Sequence, residues 1–446
     1  MHNALHYIDA VDAQTETDVY LLQARLLKGG SNYQEAIAIF QKVLAKSSQQ
    51  NQLATQEYVH WQLGTIYMEM GKAQETNTHF EQALTLAQKM GYRYREAAIH
   101  VNWGNALWMQ GQLAKTLDHY DKAIRIFREM GHRRGEAQLL ANLASMRCGL
   151  LGEYEAAMAE VQQAMAYYEE SQDEIGIGQS LSIFGQIALN QGRWDEARRY
   201  LEESVLFLEK VGEKFILSQV YRALAELAAA ENKPERGWEP LEKAEALCRE
   251  TGMAVVLPTL LGVKGLLLLK DGRFREALQA TIEAMSLQGS GSDHGYLVPY
   301  WHSLALQANR QKVAAETAVA EAYTLLLSYL KSLPPEQQAY SLTHVPDHKA
   351  IVEAWQSCQN RHIVTVDLPS IDDSKKTVTV TWHVSLPEDG RIPQKKARRQ
   401  HQLRRLLEQA AAQNAAPTHQ HLAKALNVSI GTIKRDMAEL RRKQTK

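Results

Sequence analysis

"WGNALWMQGQLAKTLDHYDKA", residues 103–123, decides the fold. Gly104 stands inside an apolar helical pattern, Gly111 interrupts that pattern, and Thr116, Tyr120 and Ala123 resume it at helical spacing. A small residue within one helix, a glycine turn, and a small–large–small face on the next describe two antiparallel helices whose backbones approach closely.

The arrangement recurs along the chain. Small residues stand at Ala24, Gly64, Gly104, Ala144, Gly185, Ala225, Gly265 and Ala305, each step forty residues except one of forty-one. A second small or short residue follows at Ala36, Thr76, Thr116, Ala157, Ala197, Gly237, Ala277 and Thr317. A large one comes next at Phe40, Phe80, Tyr120, Val161, Leu201 and Leu241. Gly71, Gly111, Gly152, Gly192 and Gly272 mark the turns, and the one extra residue lies in "CGLLGEY", residues 148–154, where a turn is expected to absorb it. A fixed period of this length is the mark of a stacked repeat, in which each hairpin buries its apolar face only against its neighbours.

The pattern resembles tetratricopeptide repeats of the forty-residue kind over roughly residues 14–330. The resemblance implies a mainly α fold: a superhelical solenoid of seven or eight helical hairpins, with capping helices and a groove. Lys264, Thr281, Glu321 and Thr324 are poor core residues, which leaves the eighth unit open between a repeat and a cap. Then "AYTLLLSYLKSLPPEQQAYSLTHVPDHKAIVEAW", residues 322–355, resembles the closing segment of sensor arrays in large bacterial transcription regulators and cyclase-linked signalling proteins. Its residues read as a long helix, a break at Pro334 and Pro335, and one capping helix.

The period changes after His362. "HIVTVDL" and "KKTVTVTWHV" alternate apolar and polar residues and predict a β-hairpin joined by "PSIDDS"; "SLPEDGRIPQ" reads as linker. Three helices are expected beyond it. Leu403, Leu406, Leu407 and Ala410 line one face of the first. Thr418 is placed to cap the second, with His421 where an acid is usual; Asn427 suits a left-handed turn and Ser429 a cap on the third. Leu422, Ala423, Leu426, Val428, Ile433, Met437 and Leu440 complete a small core.

"TIKRDMAEL", residues 432–440, resembles the recognition helix in the helix-turn-helix of sugar-metabolism and biotin-type repressors. Those repressors carry a β-wing after this helix, whereas this chain ends at Lys446, leaving the preceding hairpin as a substitute wing or a seam between two subunits. The expected domains are therefore a repeat domain over 1–357, a hairpin and linker over 358–390, and a basic helix-turn-helix over 391–446.

Charge agrees with this division. From Arg391 onward there are fourteen Lys and Arg against Glu408, Asp436 and Glu439, a balance of +11. The whole chain carries −1, so residues 1–390 carry −12. A basic tail on an acidic body suits DNA as partner for the tail alone. If the third helix enters the major groove, Ser429, Gly431, Lys434 and Arg435 fall at its base-reading end. Thr432, Arg398, Arg399, Lys424, Arg441 and Arg442 are then the candidates for phosphates.

In the repeats, Gln62, Asn102, Asn105 and Asn142 recur beside the small position, where an amide can clamp a peptide backbone or tie one helix to the next. Arg93, Arg95, Arg133 and Arg134 recur at helix starts, as carboxylate attractors or solvated ends. The histidines look scattered. No phosphate loop, H-E-x-x-H or metal-spaced Cys and His occurs, and "GSGSDHG", residues 289–295, reads as a loop, so neither catalysis nor cofactor nor metal is expected.

The remaining features are those of an ordinary soluble chain. Its 446 residues, 45% hydrophobic and 23% charged, leave room for two or more domains. Cys148, Cys248 and Cys358 are too far apart in sequence for a disulfide framework, and the start shows no targeting signal, which together suggest the cytoplasm. "MAVVLPTLLGVKGLLLL", residues 253–269, contains Pro258 and Lys264 and reads as a buried helix. The function expected is a dimeric transcription regulator whose solenoid binds a peptide or protein. An assembly adaptor with a non-specific nucleic-acid tail is the rival.

Overall fold

The computed structural model describes residues 13–29, 32–251, 256–288, 295–360, 363–372, 376–384, 386, 389, 392 and 394–444. Residues 253–255, residues 289–294 of the glycine-rich stretch, His362, part of the hairpin turn and most of the 385–393 linker lie outside them.

Eight helical hairpins come first: α1 (Ala13–Gly29) with α2 (Tyr33–Gln49), α3 (Leu53–Glu69) with α4 (Ala73–Lys89), α5 (Arg93–Met109) with α6 (Leu113–Glu129), and α7 (Arg133–Met146) with α8 (Tyr154–Ser171). They continue as α9 (Glu174–Asn190) with α10 (Trp194–Val211), α11 (Lys214–Ala230) with α12 (Trp238–Thr251), α13 (Leu257–Lys270) with α14 (Phe274–Leu287), and α15 (Leu297–Ala308) with α16 (Lys312–Leu330). After these come α17 (Pro335–His344), α18 (Pro346–Asn360), β1 (Ile363–Pro369), β2 (Thr377–His383), α19 (Lys395–Ala412), α20 (His419–Ala425) and α21 (Ile430–Gln444).

The glycines explain the period. A Cβ on Gly104 would lie 2.6 Å from the Tyr120 ring, and one on Gly64 2.9 Å from Phe80, so the large residue of the second helix rests directly on the bare backbone of the first. The turns share one device. Gly71, Gly91, Gly111, Gly131, Gly152, Gly192, Gly212 and Gly272 take positive φ, as do Asn51, Gln172 and Asn232 at equivalent places. From Asn51 to Asn232 left-handed residues thus recur every half repeat, at the ends of second helices as well as first ones.

Three expectations are corrected. The extra residue of the fourth repeat is absorbed by a π-helical turn, Arg147–Leu151, that continues α7. The eighth hairpin is formed, but its left-handed turn residue is Arg310, thirty-eight residues after Gly272. Ala315, Val319 and Ala322 are therefore buried in place of Thr317, Glu321 and Thr324. The break at Pro334 and Pro335 is followed by two helices, because Pro346 starts a new one.

The chain divides into two units. One comprises Met1–Gly149, Glu153–Ile187 and Leu330–Gln337, and in it Ser332 Oγ donates to the Gly111 carbonyl at 3.1 Å. The other comprises Leu150–Gly152, Ala188–Tyr329 and Gln338–Lys446. There Ser341 Oγ donates to the Leu150 carbonyl at 2.7 Å and meets His348 Nδ1 at 2.9 Å, while His348 Nε2 lies 2.8 Å from the Tyr296 hydroxyl. All three side chains are buried, so the polar atoms satisfy one another.

At the C-terminus β1 and β2 pair antiparallel, Thr365 opposite Thr381, and pack on three helices. Leu368, Val380 and Trp382 share one core with Leu403, Leu406, Ala410, Leu422, Ala423, Ile433 and Leu440. The hairpin thus belongs to the same small body as the helices, hereafter the head.

Candidate functional site

In the head, α20 passes into α21 through Leu426, Asn427, Val428 and Ser429. Asn427 has φ +51°, and Ser429 Oγ accepts the Thr432 amide at 3.2 Å, capping α21. Thr418 and His421 cap α20 reciprocally: the His421 amide donates to Thr418 Oγ1 and the Thr418 amide to His421 Nδ1, both at 3.3 Å. The imidazole nitrogen does what a carboxylate does in the usual capping box.

Charge on α21 is sorted by face. Asp436 is 1% exposed and takes Arg399 of α19, Nε to Oδ2 at 2.5 Å and Nη2 to Oδ1 at 3.2 Å. Glu439 takes Lys396 Nζ at 2.7 Å and Gln400 Nε2 at 2.8 Å, also from α19. Both acids of the helix are therefore neutralised on its inner side. Ser429, Gly431, Lys434, Arg435, Arg441 and Arg442 are exposed, with Lys424 exposed on α20 and Thr432 half-buried.

Two arginines singled out for phosphates are engaged inside the head. Arg399 holds Asp436, and Arg398 donates through Nε and Nη2 to the Ile392 carbonyl at 3.0 and 2.8 Å. Arg405 clamps buried Asp389 at 2.9 and 2.5 Å and donates to the His383 carbonyl at 3.1 Å. Burial pushes the Asp389 carboxyl up, but hydrogen bonds from Arg405 and the Leu386 amide, with the Arg405 charge, hold it below its ordinary value.

On the repeats, the amides tie helices together. Gln62 accepts from Lys28 of α1 at 3.4 Å, Asn142 from Gln179 of α9 at 3.4 Å, and Asn105 from the Tyr120 hydroxyl of α6 at 2.5 Å. Asn102 has no partner among the described residues. Arg93 and Arg133 reach Glu129 and Glu170 at the end of the next second helix, and Arg134 is exposed. Arg95 lies over the rings of Trp61, at 4.8 Å, and Tyr58, at 5.5 Å, with Glu57 3.9 Å away. Glu57 is buried where the next two repeats have Ala97 and Ala137, and burial raises its carboxyl.

The histidines are not scattered. His60 on α3 and His100 on α5, forty residues apart, each face a histidine of the following helix: His79 and His119, Nδ1 to Nδ1 at 2.9 Å in both pairs. Facing ring nitrogens at that distance share one proton, so at least one imidazole of each pair is neutral. Burial, with the adjacent imidazole, pushes His60 and His119 down to about 4; burial and Lys122 bring His100 to about 4, and burial lowers His79. At the matching place in the fourth repeat Glu160 accepts from Arg147 Nε at 2.8 Å, and burial pushes it up to about 7. The signal for the pairs was the forty-residue spacing of the histidines themselves.

Among the described residues no group of three or more His, Cys, Asp or Glu could hold a metal ion, and no helix is long and apolar enough to cross a membrane.

Residues 63–321 match the MalT-like TPR region family, more than half of the chain. The chain belongs to this family. Residues 18–49 match the tetratricopeptide repeat in addition. Family membership accounts for the hairpins and their period, and such repeats serve protein–protein interaction. No curated protein matches the sequence. Among solved structures, aspartyl phosphate phosphatase F from Bacillus subtilis is 16% identical with a TM-score of 0.52, over 64% of this chain and 75% of that one. A Rap protein complexed with competence and sporulation factor is 13% identical with a TM-score of 0.51, over 78% of this chain and 98% of that one. At these identities the likeness is one of fold.

Proposed function

We propose that this MalT-like repeat protein is a transcription regulator. Its C-terminal head acts as a helix-turn-helix that binds DNA through α21, and its repeats receive a peptide or protein signal. The observation that carries the reading is the sorting of charge on α21. Asp436 and Glu439 are bound to α19, and Lys434, Arg435, Arg441 and Arg442 are presented outward beside a capped, exposed helix start. A solvated surface helix has no need of such sorting, whereas a helix that enters a polyanion's groove does.

Lys434 and Arg435 are the base readers in this scheme, with Ser429 and Gly431 allowing close approach. Lys424, Thr432, Arg441 and Arg442 meet phosphates, and Arg398 and Arg399 hold the head in shape. For the repeats, a neighbour of the same fold, the Rap protein, is complexed with competence and sporulation factor. That supports a peptide or protein ligand on the first helices, where Asn102 has an amide to offer. The active species is a dimer, as two-fold DNA sites require.

The test is binding of the full chain to a labelled mixed-sequence duplex across a salt series. Affinity falls steeply with salt, and Arg441→Ala or Arg442→Ala each flattens the salt slope by about 1. A slope unmoved by either substitution contradicts the assignment of α21 as the contact.

A further inference from the structure

The two edges of the head's hairpin are treated differently. On β2 the outward edge is sealed by α19: Gln413 accepts from the Thr381 amide at 3.0 Å and donates to the Thr381 carbonyl at 3.1 Å, and Gln409 accepts from the His383 amide at 2.9 Å. Thr381 and His383 thus turn their backbones away from β1. Their register partners Thr365 and Ile363 must likewise turn theirs away from β2, because facing residues in an antiparallel ladder alternate together.

An independent contact confirms the parity. The Ala416 amide donates to the Pro369 carbonyl at 2.8 Å, and the Ile371 amide to the Asn414 carbonyl at 3.1 Å, both on the outer edge of β1. That cover ends at Pro369. Among the described residues nothing bonds to the outward backbone of Ile363, Thr365 or Asp367. The open stretch is also the apolar end of the sheet, for Val364 on the core-facing side is 37% exposed.

We propose that this edge pairs with the same edge of a second copy of the chain. The proposal deepens the dimer in the reading above by naming its seam. The number of hydrogen bonds formed selects the register. A two-fold axis through Thr365 sets Thr365 against its equivalent and Ile363 against Asp367, so every outward group meets an outward group, with about six new hydrogen bonds. The same register places Val364 beside Val366 of the other copy on the core-facing side and extends the apolar face across the seam. An axis through Val364 or Val366 also sets outward groups against each other, but within Ile363–Asp367 it forms only about four hydrogen bonds.

The test needs no DNA. Sedimentation of the full chain at tens of micromolar is expected to show a dimer. Thr365→Pro removes an amide that β2 does not use, so the head keeps its circular dichroism while the dimer dissociation constant rises about tenfold or more. Thr365→Cys is expected to link two copies under mild oxidation; Cys148, Cys248 and Cys358 are buried and do not compete. A monomeric wild type overturns the seam, as does an unweakened Thr365→Pro dimer. If Thr365→Pro unfolds, absence of the Thr365→Cys link overturns it instead. A dimer that fails to bind DNA leaves the seam standing and removes the regulator reading.

Discussion

Arg399 on α19 and Asp436 on α21 form a two-point ion pair whose carboxylate is 2% exposed and whose guanidinium is 21% exposed. The pair fixes which face of α21 turns outward, since a buried carboxylate has few other places to lie.

Removing one partner therefore reaches function only through structure. Asp436→Ala leaves a guanidinium unpaired and is expected to destabilise the head by about 2–4 kcal/mol. Arg435→Ala, on the exposed side, should change stability by no more than about 0.5 kcal/mol while weakening DNA binding. Denaturant unfolding beside DNA titration separates the two, and the reverse order of effects would contradict the assignment of faces.

Close approach at the small positions predicts a cost for one methyl group. Gly104→Ala drives a Cβ into the Tyr120 ring, whose hydroxyl is tethered to Asn105, and should cost about 1–3 kcal/mol. Gly111→Ala costs through backbone instead, at φ +68° with nothing within 4 Å of its Cβ. Pairing each with Tyr120→Leu distinguishes them in thermal melts: only the Gly104→Ala loss shrinks.

The histidine pairs predict acid sensitivity. From the ordinary value of 6.5 down to about 4 the unfolded chain binds protons that folded His60, His100 and His119 refuse. Their contribution is thus fully present above pH 6.5 and lost as pH falls through about 4. His60→Asn together with His100→Asn should flatten that decline in denaturant midpoint. An unchanged profile would show that the pairs do not titrate with unfolding.

Glu160 carries the opposite sign. Its folded value of about 7 lies above the ordinary 4.5, so its contribution is present below pH 4.5 and lost as pH rises through 7. Glu160→Gln keeps an acceptor for Arg147 and should gain stability over wild type on going from pH 5 to pH 8, on the order of 1–3 kcal/mol. A gap that does not widen with pH would sink this reading.

The repeat was legible because one steric requirement recurs: a large ring needs a bare backbone beneath it, and only small residues supply one, as Gly64 and Gly104 do. Turns were legible where glycine fills the left-handed place and hidden where Gln172 or Arg310 does, because the conformation there is imposed by packing. The eighth hairpin stays open in the sequence for that reason: with Arg310 as its turn, every later core position moves by two.

In the head, the core and the caps at Thr418 and Ser429 followed from spacing alone. The roles of Arg398 and Arg399 did not, since nothing in a run of arginines says which will meet Asp436 or the Ile392 carbonyl across space. The paired histidines needed only a comparison of positions forty apart.

Whether α21 reads DNA sequence is decided by selection from a random duplex pool with the full chain. The expected result is enrichment of a two-fold motif whose half-sites lie about 34 Å or a multiple apart, and loss or relaxation of that motif with Lys434→Ala or Arg435→Ala. No enrichment, with salt-sensitive binding to every duplex alike, would contradict it and leave the basic head a holder of nucleic acid on a repeat adaptor.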